Sequence, residues 1–456
     1  VQQKYNAKME ATMSTYQKML ELISTKASSL QSSPNRYDEL LEKIGDSRFV
    51  LLGESTHGSH EFYQARSEIT ERLITEKGFM AVAIEGDFPD VYRLHRYLQG
   101  EGKPNEWDKA LNQFKRFPTW MWRNTTLLPF LTWLRNYNDN LAKPDKIGFY
   151  GLDLYSLQNS SKAVIKYLQH KDPDAALRAK ERYASFNNGS SSQTYGYLVS
   201  SGMKKSCSKE VEEQLLELQC HEHIYTASGS LSARERYFYA IQNARLIKNS
   251  ERYYRAMFES NISSWNLRDQ HMAESFNALA AYLAKRFNRL AKIVIWAHNS
   301  HLGDARATEM SELGEVNLGQ LLREQYGSTV YSIGFSTYTG TVTAASEWDA
   351  PPECKEVKPG LAGSYELLFH LVPYPNFLLN LNDIELETYL RYPRLQRAIG
   401  VIYSPDTERK SHYYFTRLPY QFDSIIHFDE TSAVVPLEVS VNWEHEDISE
   451  TYPSGI

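Results

Sequence analysis

Four short apolar runs in this chain each stop at an ionisable residue. Phe49–Leu52 ends at Gly53-Glu54, with His57 close behind, and Met80–Ile84 ends at Glu85-Gly86-Asp87. Ile147–Tyr150 ends at Gly151-Leu152-Asp153, and Ile293–Ala297 ends at His298-Asn299-Ser300-His301. A fifth run, Val330–Phe335, has no charged stop. The runs are rich in β-branched and aromatic residues and are near-continuous rather than alternating. That is the signature of strands covered on both faces, as in a parallel sheet. Helical periodicity over 60–77, 88–98 and 121–137 separates them, and this alternation predicts right-handed strand–helix–strand units.

The fold class expected is α/β: a mostly parallel central sheet flanked by helices, with a large helical insertion. Residues 1–44 read as a helical lead-in, with Met9, Met13, Tyr16, Met19, Leu20 and Ile23 at helical spacing and a second short helix near 37–44. Residues 45–156 and 289–456 make up the α/β core. Residues 157–288, helical in pattern over 210–220 and 233–258, form a cap inserted between the third and fourth strands. Within the cap the Ser-, Gly- and Asn-rich stretch 187–206 reads as a mobile loop. The stretch 345–360, with Pro351, Pro352 and Pro359, reads as another irregular loop, and Ala398–Tyr403 as a further strand.

Composition excludes some function classes. The net charge is −6 and no basic stripe is present, which argues against a nucleic-acid partner. No run of about 18 apolar residues exists, so membrane insertion is not expected. Three cysteines at no metal-like spacing fit a reducing compartment, and the cytoplasm is the expected location. Export with a leader already removed is the alternative, since the chain begins at Val1.

In an open parallel sheet, ligands bind beyond the carboxyl ends of the strands. The stops place Glu54, His57, Glu85, Asp87, Asp153, His298 and His301 at that edge. A solvated loop or a helix cap explains any one of them; delivery from four strands to one edge is harder to explain that way. In Gly53-Glu54-Ser55-Thr56-His57-Gly58, the first glycine permits a tight exit and the second a close backbone approach. The short loop sets Glu54 beside His57, and a carboxylate beside an imidazole fixes its tautomer and raises its basicity. The plainer reading has Ser55 or Thr56 capping the next helix. His298 and His301 suit a metal site completed by Glu54, Glu85 or Asp153, or equally a metal-free site for a tetrahedral anion. Arg66 and Arg268 are candidates to neutralise the carboxylates or bind an oxyanion. No GxSxG elbow, Walker loop or GxGxxG follows the first strand.

Six segments, GESTHGSHEF (53–62), AIEGDFP (83–89), FKRFPTWMWRN (114–124), GFYGLDLYSL (148–157), WNLRDQHMAE (265–274) and AHNSHLGDAR (297–306), together resemble the erythromycin esterase family, whose members are also labelled succinoglycan biosynthesis proteins. The resemblance runs from about residue 45 to 345. It implies hydrolysis of an ester, a macrolide lactone in characterised members, with the loop histidine, here His57, as the general base that activates water. Glu54 is the neighbouring acid, and Arg66, Glu85, Arg268, His298 and His301 fall at the family's other polar positions. On this reading His298, His301 or Arg268 stabilises the oxyanion, and Glu85 holds the arrangement through Arg66 or His57. Asp153 joins the substrate-binding set. The partner implied is a small-molecule ester. No cofactor is required; a divalent metal, if used, would be held by Glu54, His57, His298 and His301.

Two other readings use the same residues. One is a divalent-metal hydrolase acting on a phosphoester or another ester. The other is a non-catalytic cleft for a saccharide or lipid-like ligand, with Trp120, Trp122 and Trp133 stacking sugar rings.

Overall fold

The computed structural model describes residues 16–30, 35–104, 106–186 and 191–438. Its strands are β1 (Ser28–Ser29), β2 (Phe49–Leu52), β3 (Ala81–Asp87), β4 (Gly148–Asp153), β5 (Ile293–Trp296), β6 (Val330–Ala344), β7 (Glu353–Val357), β8 (Asn376–Asn380), β9 (Arg394–Arg397), β10 (Tyr413–Thr416) and β11 (Ser424–Thr431). Among the described residues the main sheet runs β1-β8-β11-β6-β2-β5-β3-β4, with β7 on β6. From β11 to β4 every pairing is parallel; β1, β7 and β8 pair antiparallel. The chain is thus α/β with a mostly parallel central sheet.

Register explains why the apolar stops meet. Leu52, Trp296, Ile84 and Gly151 lie side by side across β2, β5, β3 and β4. The ionisable residues follow directly, so they emerge along one stretch of the sheet's carboxyl edge. β2 and β5 are buried throughout, as continuous apolar runs require. Separate apolar clusters cover the two faces: Leu51, Ala83 and Ile295 point into one, Val50, Val82 and Val294 into the other.

Between β4 and β5 the regular structure of the described residues is wholly helical, and includes Leu157–Lys171, Ser208–Cys220, Leu231–Ala256 and Asn261–Phe287. The last two are long and pack on each other; Asn261–Phe287 also packs on β4, and Phe238 of the other helix meets Tyr150 edge-on. Leu127–Asp139 is helical, preceded by a 3-10 turn at Thr119–Met121, so the helix expected from 121 begins later.

Several expectations are corrected. Within 187–206, Ser192–Ser200 is a helix, because Ser191 caps it by accepting from the Thr194 N–H and Gly196 lies tight against the Tyr254 carbonyl. Residues 187–190 lie outside the described residues. Within 345–360, Glu353–Val357 is a strand on β6. Residues 398–403 form only isolated bridges, at Ile399 with Thr56 and at Ile402 with Ala345; the neighbouring strand is β9. In the lead-in, residues 16–26 are helical, while Met9 and Met13 fall outside the described residues.

Gly58 is fixed by a close approach. A Cβ built there would lie 1.9 Å from the Thr343 carbonyl oxygen, while the Gly58 carbonyl accepts from the Thr343 and Val434 N–H groups. Gly58→Ala must therefore push two backbone segments apart. It is expected to cost about 1–3 kcal/mol of stability, measured as a lowered denaturant midpoint. An unchanged midpoint contradicts this packing.

Candidate active site

The loop after β2 folds back so that His57 Nδ1–H donates to Glu54 Oε1 at 2.9 Å. The other oxygen, Glu54 Oε2, is 2.6 Å from Arg66 Nη2. Arg66 comes from the helix His60–Lys77, is fully buried, and lies over the rings of Tyr63 and Trp296 at 4.4 and 5.1 Å. Asn299 braces the loop: its backbone N–H donates to the Glu54 carbonyl and its side-chain amide to the Phe335 carbonyl. With Nδ1 committed, the Nε2 edge of His57 is what this ring can offer to the cleft it lines. Neither Ser55 nor Thr56 is the N-cap of the next helix: that residue is Ser59, whose hydroxyl pairs with that of Thr56.

A second cluster centres on Arg268, from the helix Asn261–Phe287. Its Nε and Nη2 donate to the two oxygens of Asp153 at 3.0 and 2.7 Å, and Nη2 also donates to Glu85 Oε1 at 2.7 Å. Glu85 Oε2 accepts from the His298 backbone N–H at 2.9 Å. Burial opposes ionisation of Glu85, but His301 and Arg268 outweigh it and hold the carboxyl well below its usual range. Burial likewise opposes the charge on Asp153, and Arg268 overcomes it. Glu85 therefore takes its guanidinium from Arg268. The expected link from Glu85 to Arg66 gives way to Arg268, because Arg66 pairs with Glu54, while His57 is among the groups that act electrostatically on Glu85.

His298 caps the short helix Asn299–Leu302, its Nδ1 accepting from the Ser300 N–H. Its ring stands 4.8 Å from that of His57 between centroids. Burial, with His57 next to it, holds His298 neutral, its pKa well below the ordinary value. His301 Nδ1–H donates to Asp269, whose oxygens both lie at 2.9 Å. The Trp265 ring stacks on His301 at 4.6 Å. His301 Nε2 has two partners in reach, Arg268 Nη1 at 3.0 Å and Glu85 Oε1 at 3.3 Å. A neutral ring accepts from the arginine; a protonated ring donates to the carboxylate. Burial opposes the proton, but Asp269 and Glu85 outweigh it and bring the pKa up to about 9.

His57, Glu85, Asp87, Asp153, Arg116 and Arg268 share one cleft with an apolar wall that includes Phe117, Trp122 and Trp348. The room at its base is about 50 Å³, enough for a few water molecules. Glu54, Arg66, His298 and His301 stand behind this lining, so of the three oxyanion candidates Arg268 alone is on the wall. Residues that sequence reasoning left without a role also enter. Arg116 Nε donates to Asp87 and its guanidinium lies over Tyr155, and Asp269 orients His301. Arg116, Tyr155 and Asp269 belong to motif segments quoted above, but their partners are distant in sequence, so spacing gave no signal. Of the tryptophans, Trp120 is buried, Trp122 donates to the Glu85 carbonyl, and Trp133 stacks between Phe130 and Tyr137 away from the cleft.

Among the described residues no three His, Cys, Asp or Glu side chains are grouped to hold a metal ion. The donor set explains this: Glu54 is taken by Arg66 and His57, Glu85 and Asp153 by Arg268, and His301 by Asp269. The residues present do not fit a resident divalent ion. Nor, among the described residues, is any helix long and apolar enough to cross a membrane.

The family model described as erythromycin esterase matches residues 74–431. Erythromycin esterase type II of Escherichia coli is 22% identical over 330 residues, covering 69% of this chain and 75% of that protein. Erythromycin esterase type I of Escherichia coli is 24% identical over 309 residues, 64% of this chain and 70% of the relative. A crystal structure of a succinoglycan biosynthesis protein superposes with a TM-score of 0.76 at 25% identity, covering 93% of this chain and 99% of that one. A mutant of the erythromycin esterase EreC, in its open conformation, gives a TM-score of 0.63 at 17% identity, over 90% of this chain and 97% of that one.

Proposed function

The chain belongs to the erythromycin esterase family, and from that premise we propose that it hydrolyses a carboxylic ester by direct attack of water, with His57 as general base. The observation that carries this reading is the Arg66–Glu54–His57 chain, which presents a fixed imidazole edge to a water-sized space. Water gives a proton to His57 Nε2 as its oxygen bonds to the ester carbonyl carbon. Glu54 stabilises the imidazolium, and Arg66 holds Glu54 in place. Arg268, on the cleft wall, balances the oxyanion. The intermediate collapses as the carbon–alkoxyl bond breaks, the alkoxide takes the proton from His57, and an acid and an alcohol leave.

The substrate is a small-molecule ester. The relatives' names point to erythromycin, so a macrolide lactone belongs in the test panel beside simple aryl esters. Proton transfer and charge stabilisation both come from side chains, so no metal is assigned. Turnover of the panel is expected to survive exhaustive chelation unchanged. Activity lost to chelator and restored by a divalent ion would overturn the metal-free reading. No turnover of any ester, together with saccharide binding by calorimetry, would overturn the esterase reading itself.

A further inference from the structure

The cleft meets a second pocket at Phe114, which lines both. Within 114–123, Arg116, Phe117 and Trp122 line the cleft, while Lys115, Thr119 and Arg123 line the pocket. The helix Phe88–Leu98 also serves both: Asp90 is in the cleft, and Arg93, one turn on, is in the pocket. Residues three apart on a helix share a face, so the two spaces lie side by side along it. The pocket has room for about 320 Å³, against about 50 Å³ at the base of the cleft. The base holds the attacking water and little more, so the body of a substrate has to extend elsewhere.

The charge of this pocket is one-sided. Arg93, Lys115 and Arg123 face a single carboxylate, Glu438. In the cleft, by contrast, Arg116 is answered by Asp87, and Arg268 by Asp153 and Glu85. Arg123 is the fixed member of the three. It is only 9% exposed, its carbonyl accepts from the Leu437 N–H, its Nη1 donates to Asn112 Oδ1 at 3.2 Å, and its Nη2 pairs with Glu438. Its Nε has no hydrogen-bond partner, so the protein does not fully answer this guanidinium. Arg93 and Lys115 are exposed, and among the described residues neither has a carboxylate partner. In a chain of net charge −6, three cations gathered on one pocket with one counter-charge make a local site for an anion.

We propose that this pocket is an anion subsite of the active site, and that the ester turned over carries a carboxylate or phosphate group beyond the scissile bond. Arg93, Lys115 and Arg123 bind that group, and the chain joining it to the ester passes Phe114. Arginine meets either oxyanion with paired N–H donors, and lysine adds a point charge. The link to turnover rests on the esterase reading above; the anion site itself does not.

Three matched sets of 4-nitrophenyl esters test this: alkanoyl esters, ω-carboxyalkanoyl esters and ω-phosphoryloxyalkanoyl esters, each over a range of chain lengths. At one chain length or more, kcat/KM for an anionic ester is expected to exceed that of its neutral match by at least about tenfold, chiefly through KM. Which anionic set gains more tells carboxylate from phosphate. The excess should shrink with added salt. The double variant Arg93→Gln, Lys115→Gln should bring the anionic-to-neutral ratio towards one, and because both side chains are exposed it should melt like the wild type. Arg123→Gln should lower the ratio as well. A ratio near one at every length in the wild type, or an excess undiminished in the double variant, overturns the proposal. Calorimetry with glutarate and with inorganic phosphate reads the subsite without turnover. Binding that weakens in the double variant upholds the subsite even where no ester is hydrolysed, an outcome in which the esterase reading alone fails. No hydrolysis of any ester and no binding of either anion overturns both.

Discussion

Arg268→Met should both unfold the protein more readily and all but silence it. The side chain of Arg268 is buried and answers two carboxylates, Asp153 and Glu85. Removing one partner of a buried ionic cluster strands the rest, at a cost of about 3–5 kcal/mol. The same change removes the one guanidinium proposed to meet the oxyanion, a loss of about 10²–10³-fold in kcat. The two effects separate by pH. In the wild type the folded-state pKa values of Glu85 and Asp153 are depressed. Their stabilisation is therefore present above the unfolded-state values and is lost as pH falls through the folded ones. In the variant Glu85 keeps His301, but Asp153 loses its main counter-charge and burial raises its pKa instead, so the Asp153 contribution to stability should fall as pH rises above the unfolded-state value. Denaturant midpoints from pH 5 to 8 read this sign directly. A variant with wild-type midpoints and the wild-type pH trend contradicts the described network. Arg268→Lys keeps a charge but not the fork, so it should lie between the two.

His57→Gln should leave the fold intact and lower kcat by at least about 10²-fold, the usual contribution of a general base. Glutamine still reaches Glu54 with an amide N–H, so the loop loses little, but it cannot take a proton from water. Glu54→Gln leaves the base in place and removes the charge that stabilises its protonated form; it should cost less than the loss of His57 itself. Near-normal kcat in His57→Gln would remove the central residue from the account. A large kcat loss accompanied by a collapsed melting temperature would assign His57 to structure.

Much of this site was legible before any coordinates, and the reason is geometric. Strands buried on both faces cannot hide their apolar character, and parallel strands all end at the same edge. Phe49–Leu52, Met80–Ile84, Ile147–Tyr150 and Ile293–Ala297 therefore announced both the sheet and the placement of Glu54, Glu85, Asp153 and His298. What stayed hidden was the pairing. Nothing in spacing says that Arg66 belongs to Glu54 and Arg268 to Glu85, since each choice depends on how helices lie against the sheet. Asp269 was unreadable for the same reason. The helix Ser192–Ser200 was missed because Ser, Gly and Asn disfavour helices locally; a side-chain cap and the packing of Tyr195 and Gly196 override that preference. Residues 398–403 failed in the opposite sense: an apolar run with strand propensity lies in the interior yet pairs only at single bridges.

The most direct test of the central claim is chemical rescue. His57→Gly removes the ring and leaves Glu54 and the cleft in place, so added imidazole can occupy the vacated space as an external base. Turnover of an activated aryl ester by this variant is expected to fall at least about 10²-fold and to recover in part with imidazole, in proportion to its unprotonated fraction. Hydrolysis by His57→Gly at close to the wild-type rate, without imidazole, would contradict the account.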